Sequence, residues 1–396
     1  MNVAQAILDY NSGRDPEMLR RKFAILRADP YAFYRGTCHL FYDTLPRHAV
    51  LADAPALLVC GDLHLENFGV YKGDNRLAYF DLSDFDEATL APFTFDVLRF
   101  MGSIHVAAHL RLSPRQAETL GELFVDRYRA WILDGKARWL ERQTADGMVR
   151  DLLGSVIERT RAQLLKARTV RTARGRRLRM TDRALPIAEA RRARLKAAIE
   201  RFGAEQGDRR FYRVLDAAWR VAGKGSLGLE RYVVLVEGKG SPRGNYLLDV
   251  KQAVPSTLPV SGGHTRWASQ AERVVTLQRV AQAISPALLH TLTIGGRSFV
   301  LKELQPMTDR LDLERWDGRL ARLESAVASM AAVTAWAHLR GCYRHGASRI
   351  EDLQRYVARP AWQRAMPGLA ARCSALALGQ WAAYSEAYDR GEVLVP

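Results

Sequence analysis

The chain has 396 residues, with 59 lysines and arginines against 43 aspartates and glutamates, which gives a formal net charge of +16. A chain of this length exceeds what one hydrophobic core usually supports, so we expect two lobes or domains. Its 48% apolar and 26% charged residues argue against a disordered protein. No apolar run approaches the roughly 20 residues that span a bilayer, and the first residues lack the pattern of a signal peptide. We therefore expect a cytoplasmic protein without membrane contacts.

The first part of the chain is predicted to be helical, with short strands that lead into polar loops. Helical patterns cover residues 3–58, and apolar residues recur every three or four positions from 95 to 168. Two apolar runs, 56–60 and 77–80, are short, and each is followed by polar residues. Such runs are typical of buried strands that deliver a loop to one place.

The positive charge is concentrated between residues 158 and 201. This stretch has fifteen basic residues and four acidic ones, so it carries +11 of the net charge. It fits either a solvated face of surface helices or a contact with an anionic partner. No aromatic residue interrupts its core at 166–196, which argues against a binder of single-stranded nucleic acid.

After about Gly207 the pattern changes to strands and then returns to long helices that continue to Tyr388. We expect strands at 232–238, 245–253, 290–295 and 297–304, and helices at 268–284 and 318–340. The chain is therefore predicted to have an α+β fold. In this prediction a small antiparallel β lobe at 208–310 lies between two parts of a large helical lobe, 1–207 and 311–396.

The segment G-D-L-H-L-E-N-F-G contains Asp62 and Asn67, five residues apart. Phosphoryl transfer to a hydroxyl needs a carboxylate that orients the hydroxyl, here Asp62 as catalytic base, and an amide oxygen that holds Mg²⁺, here Asn67. Asp81 and Asp84 follow at the next predicted strand and supply a further metal ligand, and the choice between them stays open. Each of these pieces alone is also typical of an ordinary turn.

A second motif, G-K-G-S-L-G, spans 223–228 and is followed by a predicted strand. A strand after the glycines, instead of a helix, predicts a lid over nucleotide phosphates of the kind that protein kinases have. Lys251, at the end of the next strand, would hold the α- and β-phosphates. The alternative is a tight turn with a surface lysine. The residues of the motif predicted to bind the nucleotide are Gly223, Gly225, Ser226 and Gly228.

Glu272 is the one acidic residue in the predicted helix at 268–284. In a kinase such an acid braces the phosphate-binding lysine, so Glu272 would pair with Lys251. Its place in the first turn also fits a favourable interaction with the helix dipole alone. Both interpretations stay open.

The order of the motifs is circularly permuted relative to a protein kinase. The glycine lid, lysine strand, long helix, two strands, connector near Gln305 and second long helix follow one another as in a kinase small lobe and the start of its large lobe. The D-x-x-x-x-N loop should come next, but it lies near the N-terminus at Asp62. We therefore expect a two-lobed, circularly permuted protein-kinase-like fold in which 337–341 contacts 56–61.

Several stretches resemble the bacterial family known as domain of unknown function 2252 and, through it, the kinase-like superfamily that includes the aminoglycoside phosphotransferases. The resemblance implies that Asp62 is the base, that Asn67 and Asp81 bind the metal, that Lys251 binds phosphate and that Asp96 braces the catalytic loop. The matching stretches, which span nearly the whole chain, are DPYAFYRG, GDLHLENFG, YFDLSDFDEA with FDVLRF, GKGSLGLERYVVLVEG, LLDVKQA and ERVVTLQRVAQA.

Two positions depart from the expected pattern. Cys60 stands where kinases usually place a histidine, and Thr276 stands where we expect the family's helix to carry an acid. Gln278 and Arg279 of that helix are retained. The resemblance thus bears on the fold and the nucleotide site more than on the acceptor, since a fold does not fix a function.

The sequence as a whole predicts transfer of the γ-phosphoryl group of ATP, with Mg²⁺, to a hydroxyl of an unknown small molecule or protein. Three alternatives stay open. They are transfer of AMP, nucleotide binding without turnover, which Cys60 and the uncertain helix acid favour, and binding of a polyanion through 158–201.

Overall fold

The structure, a computed structural model, describes residues 2–173, 175–259, 267–306, 309–313 and 316–394. About 48% of the chain is helix and 17% is strand, which confirms a mixed α+β protein. The helices are α1 (Val3–Tyr10), α2 (Pro16–Ala28), α3 (Pro30–Gly36), α4 (Cys38–Asp43), α5 (Ala49–Ala52), α6 (Thr94–Val106), α7 (Pro114–Asp134), α8 (Gly147–Ile157), α9 (Arg161–Arg168), α10 (Glu189–Glu205), α11 (Gln270–Ala281), α12 (Leu320–Gly341), α13 (Ile350–Val357) and α14 (Pro360–Asp389).

The strands form one large sheet and three two-stranded pairs, β1 with β4, β2 with β3 and β5 with β6. Their bounds are β1 (Ala56–Val59), β2 (Phe68–Lys72), β3 (Ala78–Leu82), β4 (Thr89–Pro92), β5 (Thr169–Thr172), β6 (Gly175–Leu178), β7 (Ala184–Leu185), β8 (Val214–Arg220), β9 (Arg231–Val236), β10 (Tyr246–Gln252), β11 (His290–Ile294) and β12 (Arg297–Glu303).

The large sheet has six antiparallel strands in the order β11-β12-β10-β9-β8-β7. The predicted hairpin lies at its centre, where β9 and β10 pair from Tyr246 opposite Val236 to Lys251 opposite Arg231. Both strands are rich in β-branched and aliphatic residues, which pack well on a pleated surface. The predicted strand pair β11 and β12 extends the sheet beyond β10.

Elements from the basic segment cover both faces of this sheet. Helix α10 packs Ile199 and Phe202 on the face that carries Val234. Leu165 of α9 and Leu178 of β6 pack on the opposite face. The hairpin β5–β6 was not predicted from the sequence. Strand β7 also belongs to the sheet, although it precedes residue 208.

Helices α6, α7, α12 and α14 contribute to the largest hydrophobic core. The C-terminal end of α12 lies beside β1, where a Cβ added at Gly341 would be 3.4 Å from Leu58 Cβ. The Ser348 N–H donates to the Ala56 carbonyl over 2.8 Å just beyond it. The contact expected between 337–341 and 56–61 is therefore present.

The N-terminal helices pack against the last helix of the chain. Phe23 and Leu26 of α2 share an apolar cluster with Tyr384 of α14, and the Tyr384 hydroxyl donates to the Phe23 carbonyl over 3.1 Å. The first and last helices are therefore neighbours in one helical body. No helix in the described part of the chain has both the length and the apolar character needed to cross a membrane.

The packing of α10 can be tested at Gly203, where an added Cβ would lie 2.5 Å from Tyr212 Cβ. We expect Gly203→Ala to lower the free energy of unfolding by about 1–3 kcal/mol, because the extra methyl group overpacks this contact. Gly379 of α14 is the matched control, since a Cβ there meets nothing within 4 Å. Gly379→Ala should raise the free energy of unfolding by about 0.5–1 kcal/mol. Urea denaturation measures both changes, and a Gly203→Ala variant as stable as the wild type would contradict the packing.

Candidate functional site

A cleft of about 940 Å³ lies between the six-stranded sheet and the helical body. Its walls include three loops, which follow β1, β3 and β8. Gly228 lines a neighbouring pocket instead, and Asp81, Lys251 and Glu272 are not part of the cleft wall. The predicted site residues that do line the cleft are Asp62, Asn67, Asp84, Gly223, Gly225 and Ser226.

The loop that carries Asp62 is held by Asp96, a buried residue of α6. Asp96 Oδ2 accepts the Cys60 N–H over 2.7 Å, and Asp96 Oδ1 accepts the Gly61 N–H over 2.8 Å. Gly61 has a φ of +85°, and a Cβ there would clash with the carbonyl of Glu87, so the turn requires glycine. The bracing contact expected of Asp96 is thus present.

A buried chain of hydrogen bonds continues behind Asp96. His338 of α12 places Nε2 3.2 Å from Asp96 Oδ2, and its Nδ1 lies 2.8 Å from the Tyr128 hydroxyl of α7. An ionised carboxylate only accepts, so Nε2 carries the proton and Tyr128 donates to Nδ1. Three helices therefore set the position of one loop.

Asp62 is paired with Arg99, a residue of α6 that lies in the stretch FDVLRF and to which the sequence assigned no role. Arg99 Nε and Nη2 both donate to Asp62 Oδ1, over 3.0 and 2.9 Å. The guanidinium is buried and lies 3.8 Å above the ring of Tyr34. Burial raises the pKa of Asp62, and the charge of Arg99 opposes that shift. Asp62 Oδ2 has no donor within the described residues and so remains available to a hydroxyl.

Asn67 ties this loop to the segment after β3. Its Nδ2 donates to the carbonyls of Asp62 and Asp84 over 3.0 and 3.2 Å, and its Oδ1 accepts the Asp84 N–H over 2.8 Å. The hydrogen-bond network therefore fixes the orientation of the amide. The Cys60 thiol also donates to the Asp84 carbonyl, over 3.0 Å. These bonds fix the positions of the Asp62 and Asp84 backbones relative to each other.

Asp84 and Asp86 share the ammonium group of Lys251. Lys251 Nζ lies 3.4 Å from Asp84 Oδ1 and closer still to Asp86. Burial acts to raise the pKa of Asp84, but Lys251, Lys302 and Arg231 outweigh it and lower the pKa to about 2. Burial and the neighbouring Asp84 raise the pKa of Asp86. Asp84 is therefore the stronger acid of this pair.

Asp81, the other possible metal ligand, faces the helical core. Its carboxylate accepts the Leu82 N–H over 2.8 Å and also the Ala283 N–H. Burial raises the pKa of Asp81 to about 6, and the positive charge of Arg340 offsets this only in part. Of the two alternatives that the sequence left open, the geometry favours Asp84.

The glycine-rich loop between β8 and β9 is clamped by the N-terminal helices. The Gly225 carbonyl accepts Lys22 Nζ over 2.8 Å and Arg14 Nη1 over 3.0 Å. Lys22 is fully buried and also donates to Asn11 Oδ1 over 2.8 Å. Burial lowers the pKa of Lys22 well below its ordinary value. A neutral amine still has two N–H groups, one for each of these acceptors.

Glu272 caps the start of α11 and forms no ion pair with Lys251. The Ser269 hydroxyl accepts the Glu272 N–H over 3.1 Å, and the Glu272 carboxylate accepts the Ala268 N–H. Glu272 therefore caps the N-terminus of α11 and does not pair with Lys251. Arg273 is the residue of α11 that reaches the loop after β3, where it donates to the Asp86 carbonyl over 2.8 Å.

The sheet side of the cleft is cationic. Asp249 of β10 accepts two bonds from Arg231, over 2.9 and 2.6 Å, and pairs with Arg220 at 2.6 Å. Lys302 lies opposite Asp249 on β12. The basic segment at 158–201 also lines the cleft, through Arg168, Arg179 and Arg183.

The Asp84 carboxylate is suited to Mg²⁺ at a nucleotide. No three His, Cys, Asp or Glu side chains in the described ranges come together as a metal site of their own. Mg²⁺ at a nucleotide takes one or two carboxylates, and phosphates and water complete its shell. Asp84 fits this requirement, and Asn67, whose Oδ1 accepts the Asp84 N–H, lies in the adjacent loop.

The clamp on the glycine-rich loop can be tested by Lys22→Met, which keeps the length of the side chain and removes its hydrogen bonds. We expect amide hydrogen exchange at 223–228 to become faster by about tenfold, because a buried carbonyl loses a donor. Arg21→Met is the control, since Arg21 pairs with Glu17 on the exposed side of the same helix. Unchanged exchange in Lys22→Met would contradict the clamp.

The burial of Asp81 predicts a pH effect on stability. Its pKa of about 6 in the folded protein lies above the ordinary value of 3.8, so this group favours folding at low pH, and the contribution is lost as the pH rises from 4 to 6. Above pH 6, Asp81→Asn should be more stable than the wild type by about 3 kcal/mol. Near pH 4 the two should be similar. Urea unfolding at both pH values tests this, and parallel pH profiles would contradict it.

The chain was compared with protein-family models, curated proteins and solved structures. The family model described as "Uncharacterized protein conserved in bacteria (DUF2252)" matches residues 14–387. No curated protein and no solved structure is significantly similar to the chain. The family match includes both the Asp62 loop and the glycine-rich loop. The chain therefore belongs to the DUF2252 family of bacterial proteins.

Proposed function

We propose that the protein is a kinase-like phosphotransferase that moves the γ-phosphoryl group of ATP to a hydroxyl of an acceptor. One observation carries this proposal: Asp62, Asn67, Asp84 and the glycine-rich loop line one cleft, although the loop follows Asp84 by more than a hundred residues. Together they supply a carboxylate, metal ligands and backbone N–H groups for phosphates. Such a reaction also suits a cytoplasmic protein, because ATP is available there.

The fold proposed with this function is two-lobed, kinase-like and circularly permuted. The order of elements supports it: the glycine-rich loop joins β8 to β9, Lys251 lies on the next strand, and α11, β11 and β12 follow. Helix α12 then ends beside β1, so the Asp62 loop follows α12 in space. The small lobe would comprise 208–310, with β7 and α10 added. The large lobe would comprise 1–207 without these two elements, together with 311–396.

In the proposed reaction Asp62 orients the acceptor hydroxyl and accepts its proton. The hydroxyl oxygen forms a bond to the γ-phosphorus, the bond from that phosphorus to the bridging oxygen breaks, and ADP leaves. Arg99 holds one oxygen of the Asp62 carboxylate and directs the other toward the cleft. Arg99 also opposes the rise that burial imposes on the pKa of Asp62, which favours the ionised base.

Asp84 and Asn67 would hold Mg²⁺, which would neutralise the charge of the nucleotide phosphates. Lys251 lies beside Asp84 and would contact the phosphates from the same place. The N–H groups at 223–228 would cover them from the sheet side, since a glycine-rich loop lets the backbone approach closely. The clamp by Lys22 would keep this loop in the required position.

These roles can be separated by two substitutions. Asp84→Asn should weaken Mg²⁺-dependent binding of a fluorescent ATP analogue at least about tenfold, because a metal ligand acts on the bound nucleotide. Asp62→Asn should bind the analogue like the wild type and lose about 10²–10⁴ in turnover, because a base acts on the acceptor. Asp81→Asn is the control and should keep the binding. Equal losses of affinity in Asp62→Asn and Asp84→Asn would contradict the two roles.

The products of labelled ATP test the class of reaction. Incubation with γ-labelled ATP, Mg²⁺ and a cell extract should release ADP and move the label to an acceptor. Pyrophosphate as product would show transfer of AMP instead. Nucleotide binding without either product would show a non-catalytic regulator. The lack of an ion pair between Lys251 and Glu272 favours this alternative.

A further inference from the structure

Three cations from distant parts of the chain meet in the cleft beside Asp62. Arg35 ends α3, Lys224 belongs to the glycine-rich loop, and Arg310 belongs to the connector after β12. Arg35 and Arg310 both pair with Glu66, which follows Asp62 by four residues; the Arg310 bond is 2.9 Å long. These three residues and Glu66 define what we call the cationic pocket.

The charges of the cationic pocket do not balance. Glu66 supplies one negative charge for three positive ones. Asp29 lies 3.9 Å from Lys224 and supplies a second, although its carboxylate also accepts the N–H groups of Tyr31 and Ala32 as the cap of α3, so one positive charge remains in excess. Burial and the neighbouring Arg35 lower the pKa of Lys224, as expected of an ammonium group close to other cations. An anion placed here would relieve that repulsion.

The pocket also lies at the reacting end of the cleft. Arg35 Nε donates to His64 Nε2 over 3.2 Å, and His64 lies between Asp62 and Glu66 in the same loop. Burial, together with Arg35, lowers the pKa of His64 well below its ordinary value. An acceptor whose hydroxyl reaches Asp62 would therefore extend toward Arg35.

Four carboxylates near this end are paired with cations. Asp62 is paired with Arg99, Glu66 with Arg35 and Arg310, and both Asp84 and Asp86 with the single ammonium group of Lys251. A polycationic acceptor of the aminoglycoside type would need unpaired acids beside Asp62. At the cationic pocket it would instead meet more positive than negative charge, and like charges brought together disfavour binding.

We propose that the acceptor carries an anionic group, a phosphate or a carboxylate, that binds in the cationic pocket while its hydroxyl reaches Asp62. This inference rests on the proposed phosphotransferase function. Arginine forks bind the oxygens of either group in pairs, and a lysine adds a point charge. The acceptor class is thus a hydroxyl compound with an acidic group.

Binding of small anions tests the pocket directly. Inorganic phosphate and, separately, acetate would be titrated into protein saturated with Mg²⁺ and a non-hydrolysable ATP analogue, whose own phosphates fill the nucleotide part of the cleft. We expect the double variant Lys224→Gln, Arg310→Gln to bind the preferred anion at least about tenfold more weakly than the wild type. Both side chains are partly exposed, at 30% and 52%, so the fold should tolerate the changes.

Arg201→Gln is the matched control, because Arg201 is an exposed arginine of the basic segment that does not line the cleft. It should leave anion binding unchanged. Equal loss in Arg201→Gln, unchanged binding in the double variant, or no binding of either anion to the wild type would each overturn the proposal. Comparison of phosphate with acetate decides which acidic group is preferred.

These experiments distinguish a failure of the proposed function from a failure of this inference. If the ATP analogue does not bind, the phosphotransferase is contradicted, and the anion titration still shows whether the pocket exists. If γ-labelled ATP labels hydroxyl compounds, the label should appear in pools of sugar phosphates or hydroxy acids. Label found only in neutral sugars or aminoglycosides would overturn the anionic acceptor and leave the phosphotransferase intact.

Discussion

The position of the Asp62 loop depends on the Asp96 carboxylate. A buried carboxylate is costly unless its charge is answered by hydrogen bonds, and here two backbone N–H groups of the loop supply them. If the loop moved away, the Asp96 carboxylate would lose these hydrogen bonds inside an apolar core. His338 occupies the other side of Asp96, so α12 is bound to the same point. The Asp62 side chain, the turn at Gly61 and the end of α12 are therefore placed together.

Around the Asp62 loop, the cleft contains several ion pairs between acidic and basic side chains. Several acidic groups of the cleft are paired with a cation: Asp62 with Arg99, Asp84 and Asp86 with the single ammonium group of Lys251, and Asp249 with Arg231 and Arg220. Glu87 instead accepts the N–H and the hydroxyl of Thr257. Pairing opposes the effect of burial on these carboxylates, and it lowers the pKa of Asp84 and of Asp249 below the ordinary value. The cations that exceed this pairing lie along the sheet wall and in the cationic pocket. A cleft of this kind attracts anionic ligands at both ends.

The sequence predicted which residues line the cleft more reliably than it predicted the contacts that hold them there. The spacing of Asp62 and Asn67, the glycines at 223–228 and the strand before Lys251 are local patterns, and the structure places most of these residues on one cleft. The predicted strands of 232–304 and the helix at 318–340 are present within a few residues, because their periodicity is strong. The hairpin β5–β6 was missed because its apolar residues are few and arginines dominate it.

By itself the sequence determined the family, the mixed α+β class and the two motifs, since each depends on neighbouring residues or on periodic burial. Only the tertiary structure decided which side chains meet. Arg99 and Asp62 are 37 residues apart, and Lys22 and Gly225 are 203 apart. No local pattern carries such pairings, because they depend on how separate helices pack. The same holds for Asp81 and Asp84: they are three residues apart, yet strand geometry and the packing of α11 and α12 put one in the core and the other in the cleft.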